Sequence, residues 1–134
     1  MKVLINEIVK VPYKEEIDKV VKKALKAKRK TLGVVSITFV DDKYIQDLNK
    51  KYNFKDKPTD VLSFSLGETR LLGDVFISVP FAHKNAKRFQ HSLLAELKRL
   101  AVHGTLHLLG YKHKTIKEKD KMEKFEQKIL TKEH

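Results

Sequence analysis

Four short stretches of the chain carry the apolar content and β-branched bias of strands: VLINEIV at 3–9, VVSITFV at 34–40, DVLSFSL at 60–66 and GDVFISV at 73–79. Between the first two, Ile17, Val20, Val21, Ala24 and Leu25 recur at helical spacing from Lys14 onward, with Lys22, Lys23, Lys26 and Lys30 on the opposite face. Gly33 breaks that pattern. Asp41 or Asp42 is placed to cap a short helix reaching about Tyr52, and Pro58 interrupts before the third stretch. The third and fourth stretches, separated by a segment containing Gly67, predict paired strands.

From Pro80 to Leu109 the pattern is helical, in one piece or two, with Leu93, Leu97, Leu100, Ala101 and Leu108 on the buried face. Gly110 is placed to stop it. Thr115 and Glu118 have the spacing of a capping box, so a last helix is expected there, burying Ile116, Met122, Phe125 and Ile129. The order βαβαββαα predicts an α+β fold, a small mixed four-stranded sheet with helices packed mainly on one face.

The chain has 134 residues, 41% of them apolar, which suffices for one core, so residues 1–134 are expected to form a single domain. No stretch approaches the length of a membrane span, and the N-terminal residues meet a charge before an apolar signal segment can form. A soluble, cytoplasmic protein without a membrane partner is expected. The sequence contains no cysteine, so any metal must be held by His, Asp or Glu. Lys and Arg number 29 against 17 Asp and Glu, a net charge of +12 that favours a polyanionic partner, although charge alone equally suits a solvated surface.

The segment HGTLHLLGYKH changes this picture. His103 and His107 lie four residues apart, so a helix stacks their imidazoles on one face, about 6 Å apart at the β-carbons. Gly110 can turn the chain back after the helix, bringing His113 to the same point. A given spacing of three histidines is expected only about 0.01 times by chance in a chain of this composition. Three nitrogens leave a fourth tetrahedral position for water; no Cys or further His follows nearby to close it, although an acidic residue folding back could. The expectation is one metal ion at the C-terminal end of a core helix, activating water for hydrolysis. Zinc suits these ligands best, and nickel, copper and iron accept them too. The isolated His83, His91 and His134 read as ordinary core or surface residues.

The spacing is similar to that of the metzincin proteases, which place a glutamate general base directly after the first histidine. Here that residue is Gly104, which cannot move a proton. A zinc metallopeptidase is therefore the weaker alternative, and Met122 reads as core rather than as the methionine beneath such a site. The sequence more closely resembles the YbeY endoribonucleases. Their pattern HGxLHLxGYDH appears as HGTLHLLGYKH, their PTDVLSF as Pro58 to Phe64, and their GD strand motif as Gly73, Asp74, Val75, Phe76 and Ile77, with an asparagine upstream at Asn49. The resemblance covers most of the chain. It implies that the three histidines bind zinc, that single-stranded RNA is cleaved, and that the protein acts in 16S ribosomal RNA 3′-end maturation and ribosome quality control, with ribosomal particles as partners.

Two positions depart from the family pattern. Lys112 stands where the family has aspartate, removing one possible carboxylate partner for the third histidine. Asn53 stands where the family has an arginine thought to assist the phosphate chemistry, leaving Lys51, Lys55 and Lys57 to substitute for it. These departures keep open a third reading, a non-catalytic ribosome-assembly factor with a structural metal. Thr59, Asp60 and Ser63 form the polar part of the third strand, and Asp60 or Asp74 could orient a histidine or water if it faced the metal. Glu96, two helical turns before His103, could touch the rear of the site or be solvated. Lys22, Lys23, Lys26 and Lys30 are candidate RNA contacts. Of Tyr44, Tyr52, Phe54 and Tyr111, only Tyr111, which flanks His113, favours base stacking over core packing. The sequence leaves the oligomeric state open.

Overall fold

The structure is a computed structural model that describes residues 2–29, 33–66 and 71–131. Its elements are β1 (Lys2–Glu7), α1 (Lys14–Ala27), β2 (Val34–Val40), α2 (Asp42–Asn53), β3 (Val61–Ser65), β4 (Leu71–Ser78), α3 (Val79–Arg88), α4 (Leu93–Leu108) and α5 (Ile116–Leu130). The fold is α+β, with one mixed sheet in the order β1-β2-β4-β3, parallel except for the antiparallel β3–β4 pair.

Strand alternation decides which face each helix covers. Val35, Ile37 and Phe39 of β2 and Val75 and Ile77 of β4 are fully buried on one face. Against it pack Ile17, Val21, Ala24 and Leu25 of α1 and Leu97, Leu100, Ala101 and Leu106 of α4, all within one cluster. Helix α4 is buried on most of its circumference because α5 covers its outer side with Met122 and Ile129. Among the described residues, α2 is the helix that packs on the other face of the sheet. Tyr44 stacks on Phe76 at 6.1 Å and Tyr52 meets Phe64 at 5.1 Å, while Asn6 donates to Ser36 Oγ at 3.0 Å farther along the same face.

Local signals account for the boundaries. Asp41 is the cap of α2, accepting from the Tyr44 N–H at 2.8 Å. The long helical stretch resolves into α3 and α4 because Phe89 ends the first and Ser92 caps the second, accepting from the Ala95 N–H at 3.0 Å. The capping box at Thr115 and Glu118 is formed in both directions. Ile116 is a correction: it is 90% exposed. It lies six residues before Met122, well off the stripe formed by Met122, Glu126 and Ile129 at a 100° turn per residue. Phe125 is half-buried. Strand β1 ends at Glu7, not Val9, because the N–H groups of Ile8 and Val9 converge on the single carbonyl of Phe39. Gly67 lies outside the described residues.

One contact fixes α4 against the sheet. Ser63 donates from Oγ to the Gly104 carbonyl at 3.0 Å. A β-carbon on Gly104 would stand 2.5 Å from Val75 Cγ1 and 3.0 Å from Ser63 Oγ. Gly104 therefore permits an approach that no other residue allows. In Gly104→Ala, overpacking outweighs the ~1 kcal/mol that alanine gains in helix propensity, for a net loss of about 1–2 kcal/mol. Urea unfolding should show a lower midpoint with unchanged slope, and a variant as stable as wild type would refute the tight contact.

Candidate metal centre

The last turns of α4 carry His103 and His107. The helix then closes in a Schellman turn: the Gly110 N–H bonds the His107 carbonyl at 3.1 Å and the Tyr111 N–H bonds the Leu106 carbonyl at 3.0 Å. Gly110 takes φ +99°, which only glycine adopts readily, and the reversed chain returns His113 to its two predecessors. Ligand nitrogens of the three histidines lie within 4.8 Å of one another, with His103 and His107 half-buried and His113 exposed.

Each helical histidine has its Nδ1 assigned by its partner. His107 Nδ1 faces the Tyr111 carbonyl at 2.9 Å, and His103 Nδ1 faces the Glu126 carboxylate at 2.5 Å. A backbone carbonyl and an ionised carboxylate can only accept, so each Nδ1 carries a proton, and in a neutral ring this leaves the Nε2 lone pair free to bind a metal. These Nε2 atoms are 3.1 Å apart. Two nitrogens at that distance need a proton or a metal ion between them, and two tetrahedral zinc ligands at their usual bond length sit about 3.3 Å apart, so the separation is compatible with a shared ion. The donor set therefore fits a metal ion. Burial, then the neighbouring His103, pushes the His107 imidazole below its ordinary pKa, which favours the neutral, metal-binding form. Glu126, 7% exposed on the inner stripe of α5, is the carboxylate that orients a histidine here. The sequence reading missed it, although a glutamate in register with Met122 and Ile129 marked it as inward-facing.

A cavity of about 190 Å³ adjoins the histidines, lined by Arg99, His103, His113, Lys119, Met122, Glu123 and Glu126. Arg99 is clamped from behind. Its Nε donates to Glu96 Oε1 at 3.0 Å and an Nη donates to Glu96 Oε2 at 2.6 Å. Glu96 is fully buried and also meets Asn85 at 3.0 Å and His91 at 2.7 Å. Burial opposes its ionisation, but the hydrogen bonds from Arg99 and Asn85 outweigh burial and hold its pKa below the usual carboxylate range.

The other candidates are scattered. Asp60 accepts from Asn85 at 3.1 Å and lies 3.8 Å from Arg99, so it belongs to the clamp. Asp74 alternates with Val75 and points to the α2 face of the sheet, away from the histidines. Asn49 donates to the Lys57 carbonyl and accepts from Asn53, tying both asparagines into the end of α2. Lys51, Lys55 and Lys57 are exposed near that end and do not line the histidine cavity. Lys22 pairs with Asp18 at 3.0 Å, Lys23 donates to the Thr131 carbonyl at 3.1 Å, Lys26 is exposed, and Lys30 and His134 lie outside the described residues. A different lysine approaches the site: Lys28 stands 4.8 Å above Tyr111 and 4.9 Å above Phe125, whose rings stack at 5.6 Å. Tyr111 is thus packed as well as placed beside His113. Lys112 is exposed and lines a separate cavity with Lys28, Tyr111 and Lys121. Of the other rings, Tyr44 and Tyr52 pack on phenylalanines and Phe54 is 90% exposed.

The fold and site together define an α+β protein with a three-histidine group able to hold a metal ion. A family model described as Endoribonuclease YbeY matches residues 4–134. Relatives named Endoribonuclease YbeY include one from Aquifex aeolicus, 45% identical over 89% of this chain and 83% of its own, and one from Carboxydothermus hydrogenoformans, 50% identical over 74% and 71%. A Bacillus cereus relative of the same name is 41% identical over 93% of this chain and 89% of its own. The solution structure of a Thermotoga maritima protein superposes with a TM-score of 0.67 at 25% identity, covering 96% of this chain and 89% of that one. The chain belongs to the YbeY endoribonuclease family. That family is one of hydrolases whose substrate is RNA. Among the described residues, no helix is long and apolar enough to cross a membrane.

Two outcomes follow from the hydrogen bonds. Glu126→Gln should lower zinc affinity about tenfold, read by competition with a chelating dye; wild-type affinity would remove Glu126 from the site. Because the Glu96 pKa is lower folded than unfolded, the unfolded chain binds more protons as pH falls below about 4.5, and the stability this group contributes is lost down through its folded pKa. Urea midpoints should therefore fall more steeply with acid in wild type than in Glu96→Gln, and parallel profiles would refute this.

Proposed function

We propose that this protein is a single-strand-specific, zinc-dependent endoribonuclease, acting as one domain in the bacterial cytoplasm on ribosomal particles. Its reactions are the maturation of the 16S ribosomal RNA 3′ end and the removal of defective ribosomes. The observation that carries the metal-dependent reading is the pair of Nε2 lone pairs 3.1 Å apart, each set by a partner on Nδ1. His103, His107 and His113 would hold the ion, leaving room for water and a phosphoryl oxygen. A cation held there supplies a nucleophile at neutral pH and Lewis acidity toward that oxygen.

The chain's own groups do the rest. Glu126 fixes the ring of His103 and offsets cationic charge, and the Tyr111 carbonyl fixes the ring of His107. Arg99 and Lys119 place positive charge in the cavity, and the excess of 29 basic over 17 acidic residues draws a polyanion toward it. Membership of an endoribonuclease family supports RNA as the substrate. The peptidase reading loses further ground: the residue after the first histidine is pressed against Val75, so a glutamate there would clash with the sheet instead of reaching water.

The decisive experiment incubates purified protein of known metal content with labelled single-stranded and double-stranded RNA, beside His107→Ala and the triple-histidine variant. Wild type should cut only the single strand, and His107→Ala should lose at least a hundredfold in rate. Equal cleavage by the triple-histidine variant would overturn the mechanism. Zinc should be the ion recovered, and precursor-bearing small subunits should yield the mature 3′ end.

A further inference from the structure

We propose that Arg99 forms a phosphate subsite beside the histidines, holding the phosphodiester next to the one that is cut. This inference rests on the endoribonuclease reading and names how the strand is held. Arg99, His103 and His107 recur every fourth residue on α4, so one stripe of the helix carries the guanidinium and both imidazoles. Arg99 and His103 line the same cavity. One helical turn separates them, about 6 Å of rise, the scale of the step between neighbouring phosphates along a strand.

The guanidinium is held as a subsite requires. Nε and one N–H of an Nη are spent on Glu96, which is itself fixed by Asn85 and His91; the same Nη lies 3.8 Å from Asp60, and the guanidinium stands 5.8 Å over the Phe89 ring. A guanidinium has five N–H donors, and among the described residues the other Nη makes no hydrogen bond. The side chain is about one-third exposed and lines the cavity wall, and in the proposed subsite these donors lie on that side. A planar fork fixed at its rear edge and open at its front suits phosphate oxygens better than a mobile lysine does. Lys119 borders the same cavity and adds a second, exposed cation, alongside the carboxyl groups of Glu123 and Glu126, of which Glu126 is taken up by His103.

The subsite also accounts for Asn53. That residue stands where the family pattern has arginine, and its amide is committed to Asn49 at 3.0 Å. Lys51, Lys55 and Lys57 line other surface, whereas Arg99 already sits in the histidine cavity. The cation for the phosphate therefore comes from the helix that bears the histidines.

The test compares zinc-loaded wild type, Arg99→Gln and Arg99→Lys on single-stranded RNA across a range of salt. Arg99→Gln should keep full zinc content, raise KM about tenfold, and reduce the salt slope of log(1/KM) by about 0.7, the value for one phosphate contact on a single strand. Arg99→Lys should recover most of the slope but only part of KM, because charge returns without the fork. A structural clamp alone would change thermal stability and leave the slope untouched. Should Arg99→Gln fold poorly with Glu96 unpaired, the double variant Glu96→Gln/Arg99→Gln removes that charge and must show the same loss of slope. Unchanged KM and slope in folded variants overturn the subsite alone. No cleavage by zinc-loaded wild type overturns the endoribonuclease reading and the subsite with it.

Discussion

The arrangement of this protein depends on how closely α4 lies on the sheet at Gly104. Ser63 bonds the Gly104 carbonyl, and Val75 occupies the space a β-carbon would need. That contact fixes the depth and the rotation of the helix together. With Gly104 facing inward, the neighbouring stripe through Arg99, His103 and His107 is turned toward α5 and the cavity. A larger residue would lift the helix and swing the His103 imidazole away from Glu126. The same glycine that removes a protease's general base is thus the reason the histidines point where they do.

Charge is handled differently on the two sides of α4. On one side Glu96, with no exposed surface, is ionised because Arg99, Asn85 and His91 together outweigh the cost of burial. On the other, Glu126 is nearly buried and has a single strong partner, the Nδ1–H of His103. The first carboxylate aims a cation and the second aims a lone pair. Both carboxyl groups have their hydrogen-bond partners on the cavity wall, Arg99 for one and His103 for the other.

What could be read from the sequence was whatever has a short period. Strands β2 and β4, the apolar face of α1, the capping box before α5 and the His103, His107, Gly110, His113 spacing all lie within a few residues of their own signals. Relations between elements were not legible. Glu126 reaches His103 across 23 positions, and Asn85 reaches Asp60 across 25. Asp74 drew attention as a possible site carboxylate, but a strand sends successive residues to opposite faces, and without the register its side was undetermined. Glu96 looked equally suited to solvent, because a buried glutamate is recognised only through partners that tertiary structure brings. Arg99 was the exception: its four-residue spacing from His103 was visible, and attention to histidines alone passed over it.

Lys112 illustrates how a departure from a family pattern is judged from structure. Replacing an aspartate beside the third histidine reads as the loss of an orienting carboxylate. The structure supplies a carboxylate from α5 instead, through Glu126, and on the first histidine. Lys112 itself lines a neighbouring cavity with Lys28, Lys121 and Tyr111, beside Glu118, whose pKa is depressed chiefly by the Thr115 N–H of the capping box, with a smaller contribution from the lysine. His113 is exposed, unlike its two partners, so its ring is the member of the triplet least constrained by the protein. Two imidazoles are fixed by hydrogen bonds on Nδ1, and the third is exposed beyond the helix end, where an ion would add a constraint. The aspartate-to-lysine change therefore acts on the third ligand's freedom and on the charge facing an incoming strand, while the two ligands on α4 stay set by Glu126 and Tyr111.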